Sequence, residues 1–236
     1  MAYSDRHIFF DLDRTLWDFE TNSENTLKYL FQELQLHDKI PTFERFHKVY
    51  KKKNQALWKQ YASGALAKET LRYERFRSTL NHFSIREEDL VHALGDAYVA
   101  LSPKQTALVP HARTVLNDLQ TMGFTLHIIT NGFIEVQHVK LSEAGLSPYF
   151  SSVLCSEEIG VNKPHRAIFD HALSVAHAST SHSLMVGDDY RADVLGAIRA
   201  GLQAVWYQSD PQVKSKFENK IHCLTQLPLV AAKLLA

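Results

Sequence analysis

A short apolar run, His7-Ile8-Phe9-Phe10, breaks off abruptly at Asp11-Leu12-Asp13-Arg14-Thr15, and this pattern limits the fold more than any other. An unalternating run of that length reads as a strand buried on both faces. It also delivers acidic groups at its carboxyl end. Comparable runs recur at Phe124 to Ile129, Ser151 to Cys155, Ser183 to Val186 and Gln203 to Trp206, with helical patterns between them. Arg113 to Met122 puts Val115, Leu116 and Leu119 on one face before Gly123. Pro164 opens a segment carrying Ile168, Phe169, Leu173 and Val175. Tyr190 to Ala200 turns Val194, Leu195 and Ile198 inward and stops at Gly201. Strands alternating with helices predict an α/β fold with a doubly wound parallel sheet.

The interval after the first strand breaks this rhythm. Leu27, Leu30, Phe31 and Leu34 follow the polar cluster Thr21-Asn22-Ser23 with amphipathic helical spacing. Ser84-x-x-Glu87 reads as a capping box ahead of Val91, Leu94, Tyr98 and Leu101. Helical patterns fill the stretch and strand signals do not. The length of 236 residues lies near the limit at which a single core divides. The predicted organisation is therefore a sheet core from residues 1–15 and 105–236, with residues 16–104 as an all-helical insertion.

Composition narrows the function classes. The 26 Lys+Arg balance 26 Asp+Glu, which argues against a nucleic-acid polymer or an anionic membrane as the partner. Met1 to Arg6 are polar and charged, and no apolar run approaches the ~20 residues that cross a bilayer. Cys155 and Cys223 lie in no metal-ligand spacing, so a reducing, cytoplasmic setting is expected. Residues 39–77 are basic and interleaved with Phe46, Tyr50, Trp58 and Tyr73; an amphipathic helix with solvated lysines explains them better than a base-stacking surface does.

In open parallel sheets ligands bind beyond the carboxyl ends of the strands. Those positions hold Asp11 and Asp13, Thr130-Asn131-Gly132, Lys163 and Gly187-Asp188-Asp189. Carboxylates converging on one point repel unless a cation neutralises them, and an all-oxygen set suits Mg²⁺. A Thr hydroxyl, backbone N–H groups and a Lys ammonium match phosphate oxygens. The combination reads as a metal-assisted phosphoryl-transfer site with a carboxylate nucleophile.

These residues resemble the four motifs of the haloacid dehalogenase-like superfamily of aspartate-nucleophile phosphatases. In order they are Asp11-x-Asp13-x-Thr15, Ile129-Thr130-Asn131-Gly132, Lys163-Pro164 and Gly187-Asp188-Asp189-x-x-x-Asp193. The resemblance implies a Rossmann-like core with the helical insertion as a cap. It further implies Asp11 as nucleophile, Asp13 as general acid and then base, and Thr15 as a tie for the loop. Thr130, the Asn131 amide and Lys163 would bind phosphate. Mg²⁺ would be held by the Asp11 carboxylate, the Asp13 main-chain carbonyl and Asp188, with Asp193 or Asp189 nearby. Acidic residues in a helix's first turn also serve capping and the dipole: Asp189 leans that way, and Asp193 fits either role. Dehalogenases of the superfamily lack the second aspartate, so Asp13 favours a phosphatase or phosphomutase.

Three segments are similar to the pyrimidine 5′-nucleotidase-like branch: Phe9 to Glu20 with Trp17-Asp18-Phe19, Ile129 to Phe133, and Ser156 to Pro164. That similarity implies a small phosphorylated substrate, a nucleoside 5′-monophosphate; a monomer or weak homodimer is expected. Sugar phosphates or a phosphomutase reaction are the alternative, and a phosphate-responsive switch is the reading from another class. Trp17, Phe19, Arg72 and Arg75 are candidate substrate-pocket residues, with junction packing the competing reading for the two aromatics.

Overall fold

The computed structural model describes residues 6–236; Met1 to Asp5, which carry part of the polar amino-terminal stretch, lie outside the described residues. Two compact units emerge, one ending at Phe19 and resuming over Thr106–Ala236, the other Glu20–Gln105.

The first unit is built on six strands: β1 (His7–Phe10), β2 (Thr125–Thr130), β3 (Ser152–Cys155), β4 (Ser183–Gly187), β5 (Gln203–Tyr207) and β6 (Lys220–Ile221). All pair in parallel in the order β3-β2-β1-β4-β5-β6. Each strand lies within a residue or two of its predicted run. The two-residue β6 is too short to leave a hydrophobic pattern.

Alternation along the strands separates two cores. Ile8, Phe10, Leu126, Ile128, Leu184, Val186 and Val205 face one side. There they meet α5 (Ala112–Thr121), α6 (Ile134–Glu143) and α9 (Leu227–Leu234). Phe9, Ile129, Met185, Ala204 and Trp206 face the other side, against α7 (Arg166–Ala176) and α8 (Gly196–Ala200). Parallel strands joined by helices need both faces covered. From β1 the chain winds outward to β2 and β3, then returns to β4 on the opposite side of β1. That reversal leaves the carboxyl ends of β1 and β4 beside a topological switch point.

Two helix faces differ from their sequence expectations. The segment Tyr190–Leu195 is a π turn that leads into α8. Its inner face carries Asp193, Val194, Ala197 and Ala200, whereas Leu195 is half-buried and Ile198 is 44% exposed. A wider turn changes the angular step, and Asp193, paired inward with Lys163, occupies a place that hydrophobicity alone assigns to apolar residues. In α7 the inner residues are Ile168, Phe169, Ala172 and Leu173; Val175 faces outward. This helix starts at Arg166, capped by His165, and not at Pro164.

The second unit contains α1 (Phe19–Glu33, which begins one residue before the unit does), α2 (Phe43–Ala62), α3 (Lys68–His82) and α4 (Glu88–Leu101). Leu27, Leu30, Phe31, Phe46, Tyr50, Phe76, Leu80, Val91, Leu94 and Tyr98 form its core. The polar cluster Thr21-Asn22-Ser23 lies inside α1 instead of capping it, and buried Ser23 Oγ accepts from the Tyr98 hydroxyl at 2.8 Å. Ser84 is likewise no amino-terminal cap. It adopts φ 62° just after α3, with Ser84 N–H donating to Asn81 and Ile85 N–H to Leu80. This Schellman pattern ends α3. Helix α4 starts at Glu88 without a side-chain cap, its first-turn Glu88 and Asp89 matched to the helix dipole. Among the described residues no helix is long and apolar enough to cross a membrane.

Candidate active site

Asp11 leaves β1 with its N–H still donating to Val186 O of β4, 2.9 Å away, so the sheet itself fixes the start of the loop. The loop then tightens. Leu12 O accepts from the N–H groups of Thr15, Leu16 and Trp17, and Arg14 takes φ 68°. Main-chain bonds thus secure the turn. The Thr15 hydroxyl, expected to tie it down, is fully buried with no partner among the described residues.

Lys163 reaches the same point from the loop after β3. Asn131 grips its backbone twice: Lys163 N–H donates to Asn131 Oδ1 at 2.8 Å, and Asn131 Nδ2 donates to Lys163 O at 3.0 Å. The ammonium, 2% exposed, lies 2.7 Å from Asp11 Oδ1, from Asp193 Oδ1 and from Ile129 O. These partners match the three donors of an ammonium. Burial pulls the Lys163 pKa down, but Asp11 and Asp193 outweigh it and hold the charge firmly.

At the end of β4, Gly187 is required by space, because a Cβ there would lie 2.1 Å from Asp193 Oδ2. Asp189 turns away and accepts from Arg191 N–H and Ala192 N–H at 2.9 and 2.8 Å. Asp193 turns in and accepts from Asp189 N–H at 3.0 Å. Oxygens of Asp11, Asp188 and Asp193 lie within 4.8 Å of one another. Three carboxylates against one ammonium leave two surplus negative charges. Burial first, then the neighbouring carboxylates, push Asp11 up to about 7 and Asp188 to about 8, and burial raises Asp193. An all-oxygen donor set with a deficit of two positive charges fits a hard divalent cation such as Mg²⁺.

Asp13 has separate partners. Its Oδ1 lies 2.5 Å from Lys140 Nζ and its Oδ2 accepts from Gln137 Nε2 at 2.8 Å. Burial raises its pKa, but Lys140 and Gln137 together hold it below the usual carboxylate range. Gln137 Nε2 also lies 3.2 Å from Thr130 Oγ1, which accepts from Gly132 N–H at 3.1 Å. With those bonds on its oxygen, the Thr130 hydroxyl keeps its own proton to donate. Neither Gln137 nor Lys140 was among the sequence candidates; their only mark is i, i+3 spacing on the helix that follows the Thr130-Asn131-Gly132 motif.

The chain therefore brings together Asp11, Asp188, Asp193, Lys163 and Asn131, with Asp13 and Thr130 joined through Gln137. Trp17 is fully buried in the core of the first unit, and Phe19 packs against that core. Arg72 and Arg75 belong to α3 in the helical unit, where Arg72 pairs with Asp96 at 2.7 Å and Arg75 is 4% exposed.

A parallel sheet with acids at its strand ends, a buried lysine between two of them and a helical insertion after the first strand defines a class, and sequence comparison agrees. The chain belongs to the haloacid dehalogenase-like hydrolases, whose family model matches residues 6–201, and it is a phosphatase of that family. It is 34% identical over 200 residues to the pyrimidine 5′-nucleotidase YjjG of Escherichia coli, with 84% of each chain covered. Over 208 residues it is 32% identical to a ribulose-1,5-bisphosphate 5-phosphatase of Halopiger xanaduensis, covering 88% of this chain and 86% of the other. The crystal structure of the putative HAD-hydrolase YfnB of Bacillus subtilis bound to magnesium superposes with a TM-score of 0.86 at 27% identity, covering 96% of this chain and 98% of that one.

Proposed function

We propose that the chain hydrolyses nucleoside 5′-monophosphates, pyrimidine nucleotides foremost, with Mg²⁺ and through an aspartyl-phosphate on Asp11. A carboxylate oxygen of Asp11 attacks phosphorus as the bond to the 5′ oxygen breaks, and Asp13, ionised at rest, carries the proton of the monoanionic phosphate ester to that oxygen. Asp13 then takes a proton from water, which attacks phosphorus and releases inorganic phosphate from Asp11. Lys163, the Thr130 hydroxyl and the Asn131 main-chain amide would neutralise charge on the phosphoryl oxygens. Asp11, Asp188 and the Asp13 main-chain carbonyl would hold Mg²⁺, and the buried Asp193, bonded to Lys163, supports the cluster. The cation would supply charge compensation between nucleophile and phosphoryl group. Asp189 stays a helix cap, and the buried Thr15 supports the loop that carries Asp11 and Asp13. The unit Glu20–Gln105 serves as the cap domain that selects substrate and keeps bulk water out, with Arg72 and Arg75 as its candidate contacts. The free thiols of Cys155 and Cys223 suit a reducing cytoplasm.

The observation that carries the nucleotide reading is the 34% identity with a pyrimidine 5′-nucleotidase over most of both chains. The relative named as a ribulose-1,5-bisphosphate 5-phosphatase favours a second reading, a sugar-phosphate phosphatase. Phosphate release from UMP, dUMP, dTMP and a set of sugar phosphates, with and without Mg²⁺, separates them. The nucleotide reading expects Mg²⁺-dependent release from the pyrimidine nucleotides. Robust release from sugar phosphates with none from nucleotides would overturn it.

A further inference from the structure

Each carboxylate oxygen of Asp13 is held by a different buried donor of one helix. Lys140 is 4% exposed, its Nζ 2.5 Å from Oδ1 and 4.3 Å from the centroid of the Trp17 ring. Gln137 is fully buried, and its Nε2 is shared between Asp13 Oδ2 at 2.8 Å and Thr130 Oγ1 at 3.2 Å. Burying a lysine that completely is costly unless its charge is met, and a helix surface offers water as the alternative. Here the ammonium is met by one carboxylate and one indole face. The glycine of the Thr130-Asn131-Gly132 motif belongs to the same arrangement, since a Cβ on Gly132 would lie 1.4 Å from Gln137 Nε2. Any larger residue at 132 would displace the amide from both acceptors.

Asp11 and Asp13 thus draw on separate cations, Lys163 for the first and Lys140 for the second. A carboxylate offers about four lone-pair sites. One on each oxygen of Asp13 is taken, which fixes the plane and torsion of the group and leaves the other edge free to carry a proton. Placement of a catalytic group within about half an ångström decides much of its effect.

We propose that Lys140 and Gln137 are positioning residues for Asp13, holding its carboxyl group in the orientation from which it exchanges protons with the leaving oxygen and with water, and that Gln137 couples that orientation to the phosphate-facing hydroxyl of Thr130. The inference rests on the acid–base reading of Asp13 given above.

Leaving-group dependence tests it, because protonation matters for an alkoxide and little for p-nitrophenolate. Wild type, Asp13→Asn, Lys140→Met, Lys140→Arg and Gln137→Leu are compared on UMP, or the alkyl phosphate turned over fastest, and on p-nitrophenyl phosphate, with melting temperatures recorded. Asp13→Asn sets the benchmark. General acid–base catalysis contributes about 10²–10⁴-fold, so Lys140→Met is expected to lower kcat on the alkyl ester by roughly 10–100-fold at similar KM. That loss should exceed its loss on p-nitrophenyl phosphate at least tenfold, and Lys140→Arg should recover part of it. If Lys140→Met fails to fold, Gln137→Leu, which keeps the ammonium, decides by the same ratio. Equal losses on both substrates, or none, alongside a discriminating Asp13→Asn would overturn the positioning role. An Asp13→Asn variant that does not discriminate would remove the acid–base reading and this proposal with it.

Discussion

The two units handle buried charge in opposite ways. In the sheet unit two lysines are almost wholly buried and each faces carboxylates, Lys163 with Asp11 and Asp193, and Lys140 with Asp13. In the helical unit the ion pairs lie at the surface: Lys39 with Glu87, Lys51 with Glu20, Arg77 with Glu74 and Glu88. Its one nearly buried cation, Arg75, has no carboxylate partner among the described residues; it donates to Arg72 O and lies over the Tyr98 ring at 4.6 Å. Compensated buried clusters are expensive to assemble and mark sites of chemistry, whereas surface pairs add little stability. The basic, aromatic-rich stretch of the helical unit is accordingly a helical core dressed in solvated charge, with Phe46, Tyr50 and Phe76 inside.

Four outcomes would break or sharpen that contrast. Removing Lys163 has the largest expected effect, because Asp11 and Asp193 would remain buried without a cation. Lys163→Met should cost about 3–5 kcal/mol and lower the melting temperature by roughly 10 °C, along with abolishing turnover. An unchanged melting temperature would show that the cluster is not charge-compensated in solution.

Next comes acid. His127, buried between His7 and Ser152, has its pKa lowered to about 4, by burial first and then by His7. The native state resists a proton that the unfolded chain accepts near pH 6.5. Stability from this group is complete above pH 6.5 and is lost as pH falls toward 4, by up to about 3 kcal/mol. Denaturant midpoints measured across that window check it, and His127→Gln should flatten the profile. The histidines of the helical unit are exposed or half-buried.

Arg75 probes the other side of the contrast. Arg75→Met should change stability by no more than about 1 kcal/mol, since lost cation–π attraction is offset by removing an uncompensated buried charge. A loss of several kcal/mol would reveal a partner in solution. The smallest effect belongs to the surface: Lys39→Ala should cost less than about 1 kcal/mol by chemical denaturation.

Much of this was legible in the sequence, for identifiable reasons. A parallel strand buried on both faces has to be a short apolar run, and a residue just beyond it has to lie at the ligand-binding edge, so β1 to β5 and Asp11, Asp188 and Lys163 stood out together. Gln137 and Lys140 did not, because their meaning is a contact with a residue more than 120 positions away, and on a helix each reads as an ordinary polar side chain. Asp193 lay between two readings, since its spacing fits a first-turn acid equally well; burial against Lys163 distinguishes it. Ser84 ends α3 in the left-handed region, and its spacing to Glu87 cannot tell that stop from a capping serine. Ile198 was misplaced because a π turn leaves no mark in apolar spacing.

The central claim is that phosphate passes through Asp11. Reacting the protein with a ³²P-labelled nucleoside monophosphate and Mg²⁺, quenching in acid and mapping the labelled peptide tests it most directly. The label should fall on the peptide carrying Asp11, be released by hydroxylamine, and be absent from Asp11→Asn. Full turnover with no labelled peptide, or with the label on another residue, would contradict the account.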